Sequence, residues 1–188
     1  VNGLAADDAH RLLAIARTSV AHGLREGRPL ALDPAAESLA LRAPGASFVT
    51  LHGPDARLRG CVGSLEALRA LAADVAENAF GAAFRDPRFA PVAHEEVAGL
   101  DFSISILGEP EPIPATSADD LARRLESGRD GLILRQGARR ATFLPEVWAS
   151  IPEPREFVRA LEQKAGIASW SAPVEAFRYA TTTLGGRR

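Results

Sequence analysis

One cysteine, one lysine and no long apolar run set the first limits on this chain of 188 residues. A single thiol, Cys61, excludes an internal disulfide and any zinc site built from several cysteines. No segment reaches the roughly 18 apolar residues of a membrane-spanning helix, and no charged leader precedes an apolar stretch with a cleavage site. A soluble, cytoplasmic protein with no membrane contact is the expectation. The formal net charge of -2 gives no global attraction to nucleic acid or to an anionic surface. Catalytic signatures are missing as well: there is no Walker loop, no dinucleotide-type glycine fingerprint, no His-Glu-x-x-His and no Gly-x-Ser-x-Gly elbow. His10, His22, His52 and His94 stand far apart, and the first two read as exposed on one helix. No metal set and no cofactor motif is evident.

What is present is the mix of an ordinary globular chain, 46% hydrophobic and 24% charged, enough for a sizeable core. The length suits one domain, or one domain divided into two lobes. All but one of the 22 basic residues are arginine, with Lys164 the exception, so an isolated arginine is not by itself a binding signal. Arg123-Arg124 and Arg139-Arg140 lack interleaved aromatics, and Glu95/Glu96 and Asp119/Asp120 read as charges at helix starts.

The stretch with most chemistry is Leu58-Arg59-Gly60-Cys61-Val62-Gly63. Glycine inside a strand marks a bulge or a close backbone approach, and an arginine beside a thiol favours the thiolate. The plainer reading is a free cysteine acting as a small hydrophobe. Phe48–His52, the turn Gly53-Pro54-Asp55-Ala56 and this run form a hairpin. A loop of four residues, 54–57, would pair Gly53 with Leu58, His52 with Arg59 and Thr50 with Cys61. Val49, Leu51, Leu58 and Val62 then share one face, and Thr50, His52, Arg59 and Cys61 the other. Cys61 and His52 become diagonal neighbours, roughly 7–8 Å apart, unless a bulge changes the register.

Asp7–Arg25 is an amphipathic helix stopped by Gly27 and Pro29, followed by a loop around a short helix near residues 35–41. Ser64 reads as the N-cap of the next helix, with Leu65, Leu68, Leu71, Val75 and Ala79 inward and Glu66 and Asp74 outward. Ala82-Ala83-Phe84-Arg85-Asp86-Pro87-Arg88-Phe89-Ala90-Pro91 is a shaped loop: Asp86 and Arg88 either brace it as a local ion pair or face a cleft, with Phe84 and Phe89 as pins. A short helix at His94 and a half-buried strand at Phe102–Ile106 follow. Residues 109–114 read as a hinge, because each proline restricts the residue before it to extended conformations. Beyond it come a helix from Ser117 to Glu126, a hairpin of Leu132–Arg135 with Arg140–Leu144, a short helix at Pro145, and a helix from Pro154 to Gly166 on Phe157, Val158, Leu161 and Ala165. Phe177–Leu184 reads as a final strand and 185–188 as a frayed tail.

Together these segments resemble the AMMECR domain family, known in bacteria and archaea as protein A of the AmmeMemoRadiSam system. The motifs are Leu58–Gly63, with Val62 where isoleucine is usual, Phe84-x-Asp86-x-Arg88-Phe89-x-Pro91, Gly128-x-x-Gly131-Leu132, Leu144-Pro145-x-Val147 and Lys164-Ala165-Gly166. They occur in family order across roughly residues 8–180. Glu146 departs from the glutamine of many relatives. The resemblance implies an α+β fold of two subdomains, each an antiparallel sheet with helices. The larger takes residues 1–113 plus 176–188, and the smaller, inserted, 114–175, with connections at Pro114 and at Ala172-Pro173. It implies a cleft between them faced by Thr50, Arg59, Gly60, Cys61, Gly63, Phe84, Asp86, Arg88, Phe89, Leu144, Pro145 and Glu146. A Memo-like protein and a radical S-adenosylmethionine enzyme are the partners implied, in a shared modification pathway; no enzymatic activity is established for the family.

Three functions follow. The first is a binding or accessory module that holds a peptide or small molecule in the cleft for a partner enzyme. The second is a cysteine-dependent enzyme, with Cys61 as nucleophile, Arg59 lowering its pKa or holding an anion, and His52 as base; the register leaves that base out of reach. The third, nucleic-acid binding, lacks a basic stripe.

Overall fold

The computed structural model describes residues 4–186. In chain order the elements are α1 (Ala6–Glu26), α2 (Leu39–Arg42), β1 (Ser47–His52), β2 (Leu58–Gly63), α3 (Leu71–Phe84), β3 (Asp101–Leu107), β4 (Glu111–Pro112), α4 (Ala118–Ala122), β5 (Gly131–Gln136), β6 (Arg139–Phe143), α5 (Pro154–Ala165), β7 (Glu175–Tyr179) and β8 (Thr181–Gly185). Short 3-10 helices occupy Pro34–Ala36, His94–Gly99 and Pro145–Ala149. The strands form two sheets of four, ordered β2-β1-β3-β8 and β4-β7-β5-β6. The fold is α+β with two subdomains. One compact unit takes the chain up to Leu107 and resumes at Thr182; the other runs from Gly108 to Thr181.

In the first unit α1 and α3 cover one face of the sheet. Leu12, Ile15, Ala16 and Val20 of α1 meet Val75, Ala76 and Ala79 of α3, with Val49, Leu51, Phe102, Ile104 and Ile106 of the strands beneath. The helices approach closely at Gly23, where a Cβ would lie 2.5 Å from the Phe84 ring. Ser19, fully buried between them, donates to the Ala76 carbonyl at 2.7 Å and accepts from Leu30 N at 3.1 Å. Gly27 ends α1 in the left-handed region (φ 65°), its N–H closing on the Gly23 carbonyl. His22 is half-buried, with Nε2 shielded from solvent, where the sequence pattern has it exposed.

α3 starts seven residues after Ser64, at Leu71, so Ser64 is not its N-cap. Tertiary pairing wins over local propensity here: Gly45 N bonds the Arg69 carbonyl at 3.1 Å and Leu71 N the Ala43 carbonyl at 2.9 Å. That leaves Leu68 80% exposed rather than in the apolar stripe. Asp74, read as exposed, is 0% exposed. Its carboxylate accepts from Ser47 N and Oγ, both at 2.8 Å, from Ser64 Oγ at 2.7 Å and from Asn78 Nδ2 at 2.9 Å, and Arg69 Nε lies 3.1 Å away. A buried carboxylate needs such partners; this set ties the start of β1 and the end of β2 to α3.

In the second unit α4 and α5 pack on the other sheet around Leu121, Leu132, Leu134, Phe157, Val158 and Leu161. Trp148 stacks on Phe157 at 3.7 Å, and its Nε1 donates to the Asp130 carbonyl at 2.7 Å. α5 matches its sequence pattern at both ends: Pro154 in the first turn, Gly166 at φ 72° as the cap. Gly131 leaves room for the Tyr179 ring to lie across β5, where a Cβ would meet it at 2.5 Å. The Tyr179 hydroxyl so reaches the Phe143 carbonyl at 3.0 Å and Thr142 Oγ1 at 2.6 Å, and burial raises its pKa above the usual phenol value.

Two segments differ from their sequence reading. Residues 109–114 contain β4, which pairs with β7 through Glu111–Arg178 and Pro112–Phe177. The single strand expected at Phe177–Leu184 is two strands, parted at Ala180 and belonging to different sheets. Gly185 is part of β8 and Gly186 N bonds the Phe102 carbonyl at 3.0 Å; the rest of the expected tail, Arg187 and Arg188, lies outside the described residues. The chain crosses between the units at Leu107–Gly108 and Thr181–Thr182.

Candidate functional site

The β1–β2 hairpin positions Cys61, and its register departs from expectation in two places that offset one another. The turn is one residue shorter: Gly53 N bonds the Arg57 carbonyl at 2.9 Å, leaving Pro54-Asp55-Ala56 as the loop. Ala56 takes the left-handed conformation at φ 62°, the position after a type I turn where such hairpins bend. Leu58 therefore pairs with His52, not with Gly53. The register then slips once between Leu51 and His52, leaving Arg59 as the extra residue of a bulge and unpaired with His52. Beyond it Gly60 meets Leu51, and Cys61 meets Thr50 as the sequence pattern requires.

Gly60 faces the helices, with no space for a side chain: a Cβ there would stand 2.0 Å from the Ala82 carbonyl oxygen. Residues of alternate parity point to the opposite face. Across it the register aligns Cys61, Thr50 and Ser103 in one row, and His52 opposite Asp101 in the next. Gly63 on that face leaves room for the Phe48 ring, 2.2 Å from where a Cβ would be. Cys61 is half-buried, and the Thr50 hydroxyl donates to Sγ at 3.3 Å. Among the described residues, no imidazole or carboxylate is hydrogen-bonded to the sulfur.

The charged side chains around Cys61 pair with one another, and Arg88 also interacts with the Cys61 side chain. β2 is the edge strand, so the Cys61 N–H and carbonyl point away from β1, toward the loop after α3. Asp86 accepts from Cys61 N at 2.8 Å and from Arg88 N, Nε and Nη2 at 3.1, 2.9 and 2.7 Å. Arg88 Nη2 also donates to the Cys61 carbonyl at 3.3 Å. The pair closes the sheet edge as a partner strand would. Asp86 is held well below the usual carboxylate range, chiefly by Arg88 and then by the Cys61 amide against the opposing effect of burial. Arg88 is raised in turn, chiefly by Asp86.

Arg59, the extra residue of the bulge, is held by Glu96. Its Nε and Nη2 grip Glu96 at 2.7 and 3.0 Å, and Nη2 donates to the Pro91 carbonyl at 3.3 Å. Glu96, held low chiefly by Arg59, also accepts from Ala93 N at 2.8 Å. Its place 37 residues along the chain gave no local sign of this pairing. Phe84 packs its ring on Phe80 at 5.0 Å, and Phe89 lies under the Arg88 guanidinium at 5.5 Å. Leu144, Pro145 and Glu146 sit in the second unit, at the start of the 3-10 helix after β6. Their link to Cys61 rests on the family resemblance. Glu146 is exposed, and its charge adds to the upward shift of Tyr179. Among the described residues no three His, Cys, Asp or Glu side chains gather as a metal set, and no helix is long and apolar enough to cross a membrane.

The AMMECR1 family model matches residues 13–184. A protein of Thermotoga maritima is 33% identical, the match covering 83% of this chain and 86% of the relative. Protein MK0488 of Methanopyrus kandleri is 32% identical, over 90% of this chain and 84% of its own length. Among solved structures, the crystal structure of the uncharacterised protein PH0010 of Pyrococcus horikoshii is similar with a TM-score of 0.81 and 28% identity. That likeness covers 92% of this chain and 88% of PH0010.

Proposed function

This chain belongs to the AMMECR1 family, and from that premise we propose that it is a binding module whose Cys61 face holds a polar segment of a partner protein. The partners in view are the Memo-like protein and the radical S-adenosylmethionine enzyme that the family's association implies. One observation carries the reading. The charged side chains beside Cys61 pair with one another, Asp86 with Arg88 and Arg59 with Glu96, while Cys61, Thr50 and Ser103 form a row of hydrogen-bonding groups on the sheet face. Such a row recognises polar groups without the desolvation penalty of unpaired charge. It supplies no general base in hydrogen-bond contact with a nucleophile.

The test is calorimetric titration of the chain with each of the two partner proteins from the same genome. Saturable binding to at least one is expected. It should survive Cys61→Ser and weaken by about tenfold or more in Ser103→Arg, which blocks the face. Absence of binding to both overturns the reading. A second reading, cysteine-dependent catalysis, draws on the placement of Cys61, His52 and Asp101 on one sheet face. It takes precedence if partner-dependent modification proceeds with wild type and stops with Cys61→Ser while binding is unchanged.

A further inference from the structure

We draw no further inference here: the strongest candidate, the side-chain cluster of Cys61, Thr50 and Arg88 where the β1–β2 hairpin meets the loop after α3, belongs to the site already described and rests on hydrogen bonds within the cluster alone.

Discussion

Replacing Gly60 with alanine tests the packing that aims Cys61. The new Cβ would lie 2.0 Å from the Ala82 oxygen and 3.0 Å from its carbon, both backbone atoms of α3. Ordinary carbon–oxygen contacts begin at about 3.3 Å, so strand and helix must part by roughly 1.3 Å. No rotamer change can relieve that contact. Gly63→Ala is the control: its Cβ meets the Phe48 ring at 2.2 Å, but the ring belongs to a half-buried side chain that can swing aside. Overpacking of rigid groups costs about 3 kcal/mol, against about 1 kcal/mol where a side chain yields. For a chain of this size the Gly60→Ala midpoint should fall by roughly 6–12 °C. Tryptophan fluorescence is the wrong assay, since Trp148 and Trp170 both lie in the second unit. Hydrogen exchange of peptides covering residues 47–63 reports the first unit directly. Gly60→Ala should accelerate it by roughly a hundredfold and Gly63→Ala by less than about tenfold. Equal protection in the two variants would refute the close approach at Ala82.

The buried carboxylate network makes a second prediction. Asp74→Asn turns one acceptor oxygen into a donor facing the donors of Ser47 and Asn78, and should cost about 2–3 kcal/mol in urea unfolding followed by circular dichroism. An unchanged midpoint would refute the network as drawn. Acid stability depends on Asp86. Because its folded pKa is lowered, the stability it contributes is complete above the unfolded value of about 3.9 and is lost as pH falls from there through the folded value. Asp86→Asn should therefore be less stable than wild type at neutral pH and lose less on acidification below about pH 4. An acid limb as steep as that of wild type would assign the loss to other carboxylates.

How much was legible in the sequence depended on whether a signal was local. α5 was legible throughout, because proline, an apolar stripe and a left-handed glycine mark its start, face and end. The strand at Phe177–Leu184 shows no breaker at Ala180; its division follows from the separate sheets that claim its two halves. Ser64 resembles an N-cap in isolation, yet its hydroxyl is taken by Asp74 ten residues on. Asp74 itself lies on a helix whose apolar spacing gives no hint that a carboxylate turns inward. Within the site, the pairing of Cys61 with Thr50 followed from which face could be buried. The partner of Arg59 did not, because Glu96 arrives from another part of the chain.

The two offsets of the hairpin act at separate places, which sets how its length can change. The short turn lies outside the pair His52–Leu58, and the bulge lies between that pair and Leu51–Gly60. Deleting Arg59 alone therefore makes Leu58 and Gly60 consecutive opposite His52 and Leu51, keeps Cys61 on Thr50, and removes the guanidinium that holds Glu96. A residue added to the loop is taken up before His52 and leaves the same pairs in place. Changes of length in the turn or at the bulge should therefore be viable one at a time, whereas a residue lost between Gly60 and Cys61 would put a side chain against Ala82 or move Cys61 off its row.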